Sequence, residues 1–150
     1  MHRAQPAVLI LGLAGGFLLA ITDFLTVVHV EVVTASCQDL ATPSLADSCV
    51  SKGSEQHSWA LLVLGLLALA MTYGAAAGRS RPAAAALLLI GVGALAVFFA
   101  VDLPDVSKTG QIGLNFANAQ AKAGAGFWTE LVGACLLVFA GAVGLTRARR

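Results

Sequence analysis

Four long apolar stretches, each about as long as a membrane-spanning helix, restrict the fold of this sequence more than any other feature. They cover residues 7 to about 30, 58–78, 82–101 and 125–145. About 20 apolar residues are needed to cross a hydrocarbon core roughly 30 Å thick. Because a backbone in lipid must satisfy its own hydrogen bonds, each stretch is predicted to be a helix. The sequence therefore predicts an all-α integral membrane protein, a single-domain four-helix bundle with up-down topology.

The composition is typical of a protein built for lipid. Hydrophobic residues make up 58% of the 150 residues and charged residues only 11%, whereas a soluble domain is typically about 25% charged. A net charge of +1 gives no reason to expect a nucleic-acid partner. Phosphate-loop, nucleophile-elbow, zinc-protease and dinucleotide motifs do not occur in the sequence. We therefore predict no enzymatic activity, no cofactor and no motif-defined metal site.

The first stretch could instead be a signal peptide, because Met1-His2-Arg3 fits the basic start of one. Its apolar segment is too long, however, and Asp23 interrupts it. Thr34-Ala35-Ser36-Cys37 resembles a lipoprotein cleavage site, which would place a lipid on Cys37, although threonine fits that motif poorly. We expect the first helix to be retained.

The basic residues predict the orientation of the helices. All six arginines lie in the head, the turn 78–82 or the tail, and all three lysines lie in the other connections. Because lysine and arginine near helix ends favour the cytoplasm, this split predicts a multi-pass plasma-membrane protein with both termini inside. Trp59 and Trp128 then begin helices two and four at the outer interface, and Tyr73 lies near the inner one.

The outer connections are predicted to be residues 31–57 and 102–124. Cys37 and Cys49 lie in the first and are expected to form a disulfide on the oxidising side, leaving Cys135 as a free thiol inside a helix. A redox-active pair would need a C-x-x-C spacing, which these cysteines lack.

Three segments have informative local patterns. Residues 28–33 alternate apolar and polar side chains, which fits a short strand and a helix end equally well. Residues 115–122 could form two turns of interfacial helix. Gly12, Gly16 and Ala20 recur at four-residue steps on one face of helix one, a spacing that lets helix backbones approach closely.

Two acidic residues lie inside the apolar stretches, and both fall near the predicted outer ends. Asp23 is about five residues below the end of helix one, and Glu130 is about five residues below the start of helix four, so chain direction gives them equal depth. An acid in hydrocarbon is costly and tends to face the bundle interior. Because the terminal helices of an up-down bundle are neighbours, we expect both side chains to face inward, within a few ångströms to about 10 Å of each other.

Three interpretations of this pair remain open. The acids could be hydrated near the surface or hydrogen-bonded to Thr22, Thr26 or Thr129. They could form a carboxyl pair that shares one proton.

The third interpretation is a cation site completed by His29, His57 or Asp102 near the outer mouth. Carboxylate and imidazole groups suit several divalent metals. No H-x-x-x-H or H-x-H spacing supports a metal site in this sequence.

With the whole chain laid out, it resembles uncharacterised small four-helix membrane proteins of high-GC Gram-positive bacteria. The resemblance rests on alanine-rich helices with arginine flanks, on Gln56-His57-Ser58, on Asp102-Leu103-Pro104-Asp105, and on Gly124-Ala125-Gly126-Phe127-Trp128. It implies a membrane bundle but no activity. The topology is also similar to claudin-like tetraspan proteins, which carry a disulfide in the first outer loop, although their tryptophan–cysteine pattern is missing here.

The sequence favours a non-enzymatic accessory or scaffolding subunit, or a small envelope protein, acting through its outer loops and helix faces. Its expected partners are the lipid bilayer and either a larger membrane complex or further copies of itself. The alternative is a small transporter or a proton- or cation-coupled protein centred on Asp23 and Glu130. A membrane enzyme ranks third.

Overall fold

The chain is mostly helical and carries one small antiparallel sheet. A computed structural model describes residues 5–32, 35–37, 49–107, 109–112 and 116–147. Arg3, Lys108, Arg149 and Arg150, which entered the charge argument, lie outside the described residues, as does segment 38–48 of the first connection. In chain order the described elements are α1 (Pro6–Thr22), β1 (Thr26–Val32), β2 (Ala35–Ser36), β3 (Val50–Lys52), α2 (Gly53–His57), α3 (Ala60–Ala76), α4 (Arg81–Val97), a π-helical turn (Phe98–Asp102), α5 (Leu103–Val106), β4 (Thr109–Ile112), β5 (Phe116–Ala123) and α6 (Ala125–Arg147).

Among the described residues, two helical segments are long and apolar enough to cross a membrane. Arg81–Val106, which joins α4, the π-turn and α5, has 26 residues, and Ala125–Arg147, which is α6, has 23. The apolar helices α1 and α3 have 17 residues each. At 1.5 Å per residue, 17 residues extend about 26 Å, which is near the lower limit for a span.

The four long helices pack in a ring. Helix α1 lies between α3 and α6, and α4 lies between the same two helices on the opposite side. The short connection from α3 to α4 makes them antiparallel, and the Oγ of Ser80 accepts a hydrogen bond from the Ala83 N–H at the start of α4. The backbone N–H of Gln5 donates to the carbonyl of Ala76, so the start of α1 lies at the end of α3.

Glycine makes the contact between α1 and α3 possible. A Cβ atom at Gly16 would lie 3.1 Å from the carbonyl oxygen of Gly65, and a Cβ at Gly65 would lie 2.6 Å from the backbone nitrogen of Ala20. A Cβ at Gly12 would overlap the side chain of Thr72. The small-residue face of Gly12, Gly16 and Ala20 therefore packs on α3.

The expectation of an all-α protein is confirmed only in part, because the chain is mostly helical but five strands of the described residues form an antiparallel sheet. The order is β2-β1-β5-β4, and β3 pairs with β1 beside β2. The first helix ends at Thr22 rather than near residue 30, since the chain turns at 23–25 and continues as β1. Residues 26–32 are rich in valine, which favours the pleated surface of a strand over a helix.

The interfacial helix expected at 115–122 is wrong, because β5 covers most of that segment. Residues 116–123 alternate alanine with polar side chains from Ala117 onward, a period of two that fits a strand. Strand β5 pairs with β1 in the register Val28↔Ala123 to Val32↔Ala119, so the backbone groups of both segments are satisfied by each other. The open choice for residues 28–33 is thereby resolved as strand for the described part of that segment.

The sheet covers one end of the helix ring, which we call the sheet end. Strand β1 follows α1 after a three-residue turn, and β5 leads into α6 through Gly124. Val27, Val28, Phe98 and Phe127 form a buried apolar cluster between sheet and helices. The opposite end holds the start of α1 and the turn from α3 to α4.

Two covalent or ionic links lie on the sheet side. Cys37 and Cys49 form a disulfide with a Cα–Cα distance of 5.5 Å, and Cys135 is a free, partly buried thiol. The ammonium of Lys122 lies 3.0 Å from an exposed carboxylate oxygen of Glu31. Its hydrogen bond and charge lower the pKa of Glu31, with a smaller contribution from His29.

Candidate functional site

Three ionisable side chains from three separate segments meet at the sheet end. The Nε2 of His57 lies 3.2 Å from Oδ1 of Asp102 and 3.6 Å from Oε2 of Glu130. One ligand atom from each of the three residues lies within 4.8 Å of the other two. Asp102 and Glu130 are fully buried, and the His57 side chain is 4% exposed. We call these three residues the acid–imidazole cluster.

His57 reaches the cluster from a short helix held against the end of α1. Helix α2 follows β3, its Gly53 N–H donates to the Leu25 carbonyl, and its Ser54 N–H donates to the backbone carbonyl of Asp23. Directly after His57, Ser58 and Trp59 have φ angles of 49° and 66°. A bulky residue at positive φ costs about 1–3 kcal/mol and persists where the surroundings enforce it. The turn at Ser58 and Trp59 separates His57 from the start of α3, so that the chain changes direction before it enters the helix ring.

Asp102 lies on the buried face of α4 where the helix widens. Buried positions recur along this helix at Leu87, Gly91, Ala94 and Phe98, and the same spacing continues to Asp102. The turn Phe98–Asp102 is π-helical, with the Leu103 N–H donating to the Phe98 carbonyl. Pro104 follows and has no N–H to continue the α-helical ladder. Single π-helical turns within α-helices occur frequently at functional sites.

Glu130 reaches the cluster from α6. Its neighbours at helical spacing, Gly126, Gly133 and Leu137, are all buried, so Glu130 lies on the inner face of the helix. Gly133 allows α1 to approach, because a Cβ there would lie 3.1 Å from the carbonyl oxygen of Gly15. The carboxyl is therefore held in the ring by close backbone packing one turn below it.

The cluster is poorly satisfied by hydrogen bonds. In the part of the chain that the structure describes, the carboxylate oxygens of Asp102 and Glu130 accept no hydrogen bond of good geometry, and the 3.2 and 3.6 Å contacts of His57 Nε2 are ion-pair distances only. Two buried carboxylates at this distance repel each other, and burying an unpaired charge costs several kcal/mol. Uptake of positive charge, as a proton or a cation, would offset this cost.

Asp23 is fully buried but belongs to a different contact. Its Oδ2 accepts a 2.7 Å hydrogen bond from the Leu62 N–H in the first turn of α3, where the helix dipole favours negative charge. Its Oδ1 has no described hydrogen-bond partner. The charge of Asp23 acts on Glu130, but the direct neighbours of Glu130 are Asp102 and His57. The Asp23 carboxylate therefore binds the first turn of α3, and it is not a member of the acid–imidazole cluster.

The threonines and His29 lie elsewhere. The hydroxyls of Thr22 and Thr129 are 3.0 Å apart and link α1 to α6, so they do not serve Asp23 or Glu130 in the described contacts. His29 lies in β1 with its side chain about one-third exposed, 3.6 Å from Glu31. It lines an open cavity of about 400 Å³ beside Cys49, outside the acid–imidazole cluster.

Sequence reasoning missed one polar contact beside the cluster. The Nε2 of Gln56 donates a 2.8 Å hydrogen bond to Oδ2 of Asp105. Gln56 precedes His57, and Asp105 lies one helical turn after Asp102, so this bond joins the two segments that carry His57 and Asp102. The available signal was that each of two polar pairs, Gln56-His57 and Asp102/Asp105, lies at an end of an apolar stretch.

No family model, curated protein or solved structure matches this chain. The resemblance to uncharacterised four-helix proteins of high-GC Gram-positive bacteria and the topological similarity to claudin-like proteins therefore stay predictions. Function has to be argued from the geometry of the chain itself.

Proposed function

We propose that this chain is a four-span plasma-membrane protein that takes up a cation or a proton at the outer end of its helices. The observation that carries the proposal is the acid–imidazole cluster, in which two buried carboxyl groups share one imidazole and, in the described part of the chain, pair with no lysine or arginine. Acidic and basic side chains inside membrane helices are expensive and usually functional.

Apolar helix surfaces support the membrane setting. Besides the two long apolar segments, α1 and α3 expose large hydrophobic side chains on their outer faces, as α4 and α6 do. Examples on the four helices are Phe17, Leu66, Leu89 and Phe139. Exposed apolar surface on every helix of the ring is typical of contact with lipid. At 17 residues, α1 and α3 reach the minimum length for a span.

The distribution of charge supports the orientation. Arg79, Arg81 and Arg147 lie at the end opposite the sheet, whereas Lys52 and Lys122 lie in strands. The arginine end is therefore the cytoplasmic one. The disulfide lies on the sheet side, which is consistent with an oxidising exterior.

Topology can be tested with terminal reporters. A reporter that is active only in the cytoplasm should be active when fused after Arg150, and a reporter active only outside should be inactive there. A cysteine introduced at exposed Lys52 should be labelled by an impermeant thiol reagent on intact cells, whereas one introduced at Arg79 should need permeabilised cells. Labelling with the reverse preference would contradict the orientation.

The packing below the cluster favours binding over conduction through one chain. A Cβ at Gly15 would lie 2.9 Å from the Gly133 carbonyl oxygen, and a Cβ at Gly91 would lie 2.7 Å from the Val138 backbone nitrogen. Helices that touch at glycine leave little room between them for an ion. A transport role would accordingly need an oligomer, as the narrow four-helix ring suggests.

The accessory-subunit interpretation is the second candidate. It rests on topology and on the exposed helix faces, which a larger complex could also cover. The two proposed functions differ in what they require of the cluster, because a scaffold does not need two buried acids that share one imidazole.

Thermal unfolding of the purified full chain in nanodiscs tests the proposal. The unfolding temperature of the wild type should vary with pH and with added divalent cations. Both dependences should be reduced in His57→Gln, Asp102→Asn and Glu130→Gln, since each removes one member of the cluster.

Matched controls exist for this experiment. His29→Gln removes a partly exposed imidazole, and Glu31→Gln removes an exposed carboxylate, so both should retain the wild-type dependence on divalent cations. A triple cluster variant that responds to pH and cations as the wild type does would overturn the proposed function and leave the accessory role.

A further inference from the structure

We infer that the acid–imidazole cluster binds one first-row divalent metal ion of the Zn²⁺ type in tetrahedral coordination. The inference rests on the proposed function and names its ligand. Three independent properties of the site support it: the donor atoms, their spacing and their charge.

The donor atoms select the class of metal. The site offers one imidazole nitrogen and two carboxylate groups. Mg²⁺ and Ca²⁺ prefer oxygen donors alone and take six or more of them. Imidazole together with carboxylate is the ligand set of Zn²⁺ and its first-row neighbours. The imidazole nitrogen of His57 therefore favours a first-row transition metal over Mg²⁺ or Ca²⁺ at this site.

The spacing of the donor atoms fits a tetrahedron. Zn–N and Zn–O bonds of about 2.0–2.2 Å imply ligand–ligand edges of about 3.3–3.6 Å. The distances from His57 Nε2 to Asp102 Oδ1 and Glu130 Oε2 are 3.2 and 3.6 Å. The third edge, between the Asp102 and Glu130 oxygens, is at most 4.8 Å, so these two oxygens would move closer by up to about 1.5 Å for all three donors to coordinate one ion.

The charge of the donors suits a divalent ion. When ionised, Asp102 and Glu130 carry two negative charges, and in the described part of the chain neither pairs with a lysine or arginine. A divalent ion with a neutral His57 brings the buried site to zero net charge. A monovalent cation would leave one uncompensated charge in a low-dielectric setting.

Three protein ligands leave one coordination position for water or another small ligand, which is the arrangement of open zinc sites. The Gln56–Asp105 hydrogen bond braces this set from outside, because it ties the segment of His57 to that of Asp102. We assign Gln56 as a positioning residue for the site.

Co²⁺ binding to the full chain tests the inference. The protein is purified without a polyhistidine tag, with Cys135→Ala to exclude thiolate ligation, stripped with a chelator and titrated with Co²⁺ in nanodiscs. We expect one equivalent to give the intense visible d–d bands of tetrahedral Co²⁺. Zn²⁺ should displace it, and excess Mg²⁺ or Ca²⁺ should not.

Variants locate the bound ion. Asp102→Asn and Glu130→Gln should each lower Co²⁺ affinity more than 100-fold, and His57→Gln should abolish the tetrahedral spectrum. Gln56→Ala should lower affinity by about 10-fold with the spectrum retained, as outer-shell changes do. His29→Gln and Glu31→Gln should bind as the wild type does. Circular dichroism of each variant establishes that it is folded.

Each remaining outcome overturns a defined part of the argument. Absence of the tetrahedral spectrum, with a pH dependence of stability that the cluster variants abolish, would reject the metal and leave the proposed proton site standing. Absence of both would reject the proposed function as well. Unchanged Co²⁺ binding by folded His57→Gln, or displacement by Mg²⁺, would reject the assigned site or ion class.

Discussion

Replacing Asp23 with alanine is expected to lower the free energy of unfolding by about 1–3 kcal/mol, the cost of leaving a helix-capping N–H without its acceptor. The carboxylate is fully buried and accepts the Leu62 N–H at 2.7 Å. Trp59, which stands at the N-cap position of α3, makes no side-chain cap of its own. Asp23, which is distant in sequence, therefore accepts the hydrogen bond that the side chain of an N-cap residue usually accepts.

Asp23→Asn separates the acceptor from the charge. Asparagine keeps an oxygen at the same place, so it should cost less than half as much as alanine if the hydrogen bond is the main contribution. Chemical unfolding in micelles measures the difference, and faster amide exchange at Leu62 in Asp23→Ala would locate it. Equal losses in both variants would show that the negative charge of Asp23, acting on the dipole of α3, matters more than its hydrogen bond.

The long helices could be predicted because a single apolar stretch in lipid can satisfy its backbone hydrogen bonds within itself only as a helix. The end of α1 could not be predicted in the same way, because the valines of β1 are as hydrophobic as the helix and extend the apolar stretch. Val27, Val28 and Val30 are β-branched, and this signal favoured a strand. Pairing with β5, about 90 residues away, decided the outcome.

The alternation in β5 was equally visible. Ala121 and Ala123 alternate with Gln120 and Lys122, which is a strand period. Alanine's high helix propensity suggested an interfacial helix instead. In a half-buried strand, alanine fits on the face that packs against the core. Helix propensity takes no account of the pairing with β1 that stabilises β5 as a strand.

The sequence groups Glu130 with His57 and Asp102 in one candidate cation site, but it also includes Asp23 and His29, which the structure places in other contacts. Depth in the membrane follows from chain direction, and on that basis Asp23 was paired with Glu130. Which side chains touch depends also on rotation about each helix axis, at about 100° per residue, which packing sets. That rotation brings Asp102 and His57 to Glu130 and turns Asp23 toward Leu62.

Glu130→Gln is expected to change stability in opposite directions with and without metal. In metal-free protein at a pH high enough to ionise both acids, the variant removes one of two close buried carboxylates. When both acids are ionised, removing one of the two like charges relieves their mutual repulsion and stabilises the folded state. Glutamine has nearly the same shape, so the packing against Gly133 and the neighbouring helices should persist. The metal-free variant should therefore unfold at a higher temperature than the metal-free wild type.

Saturation with Zn²⁺ should reverse this order. An ion that binds only the folded state at 100 times its dissociation constant stabilises that state by about 2.7 kcal/mol. The wild type gains this stabilisation, whereas Glu130→Gln loses a ligand and gains little. Melting curves of wild type and Glu130→Gln, each recorded with chelator and with Zn²⁺, measure this reversal in the order of their unfolding temperatures. The control Glu31→Gln changes an exposed acid, so its free energy of unfolding should stay within about 0.5 kcal/mol of wild type in both conditions. A loss of stability in Glu130→Gln that is the same in both conditions would mean that Glu130 only fills space, because packing does not depend on the metal.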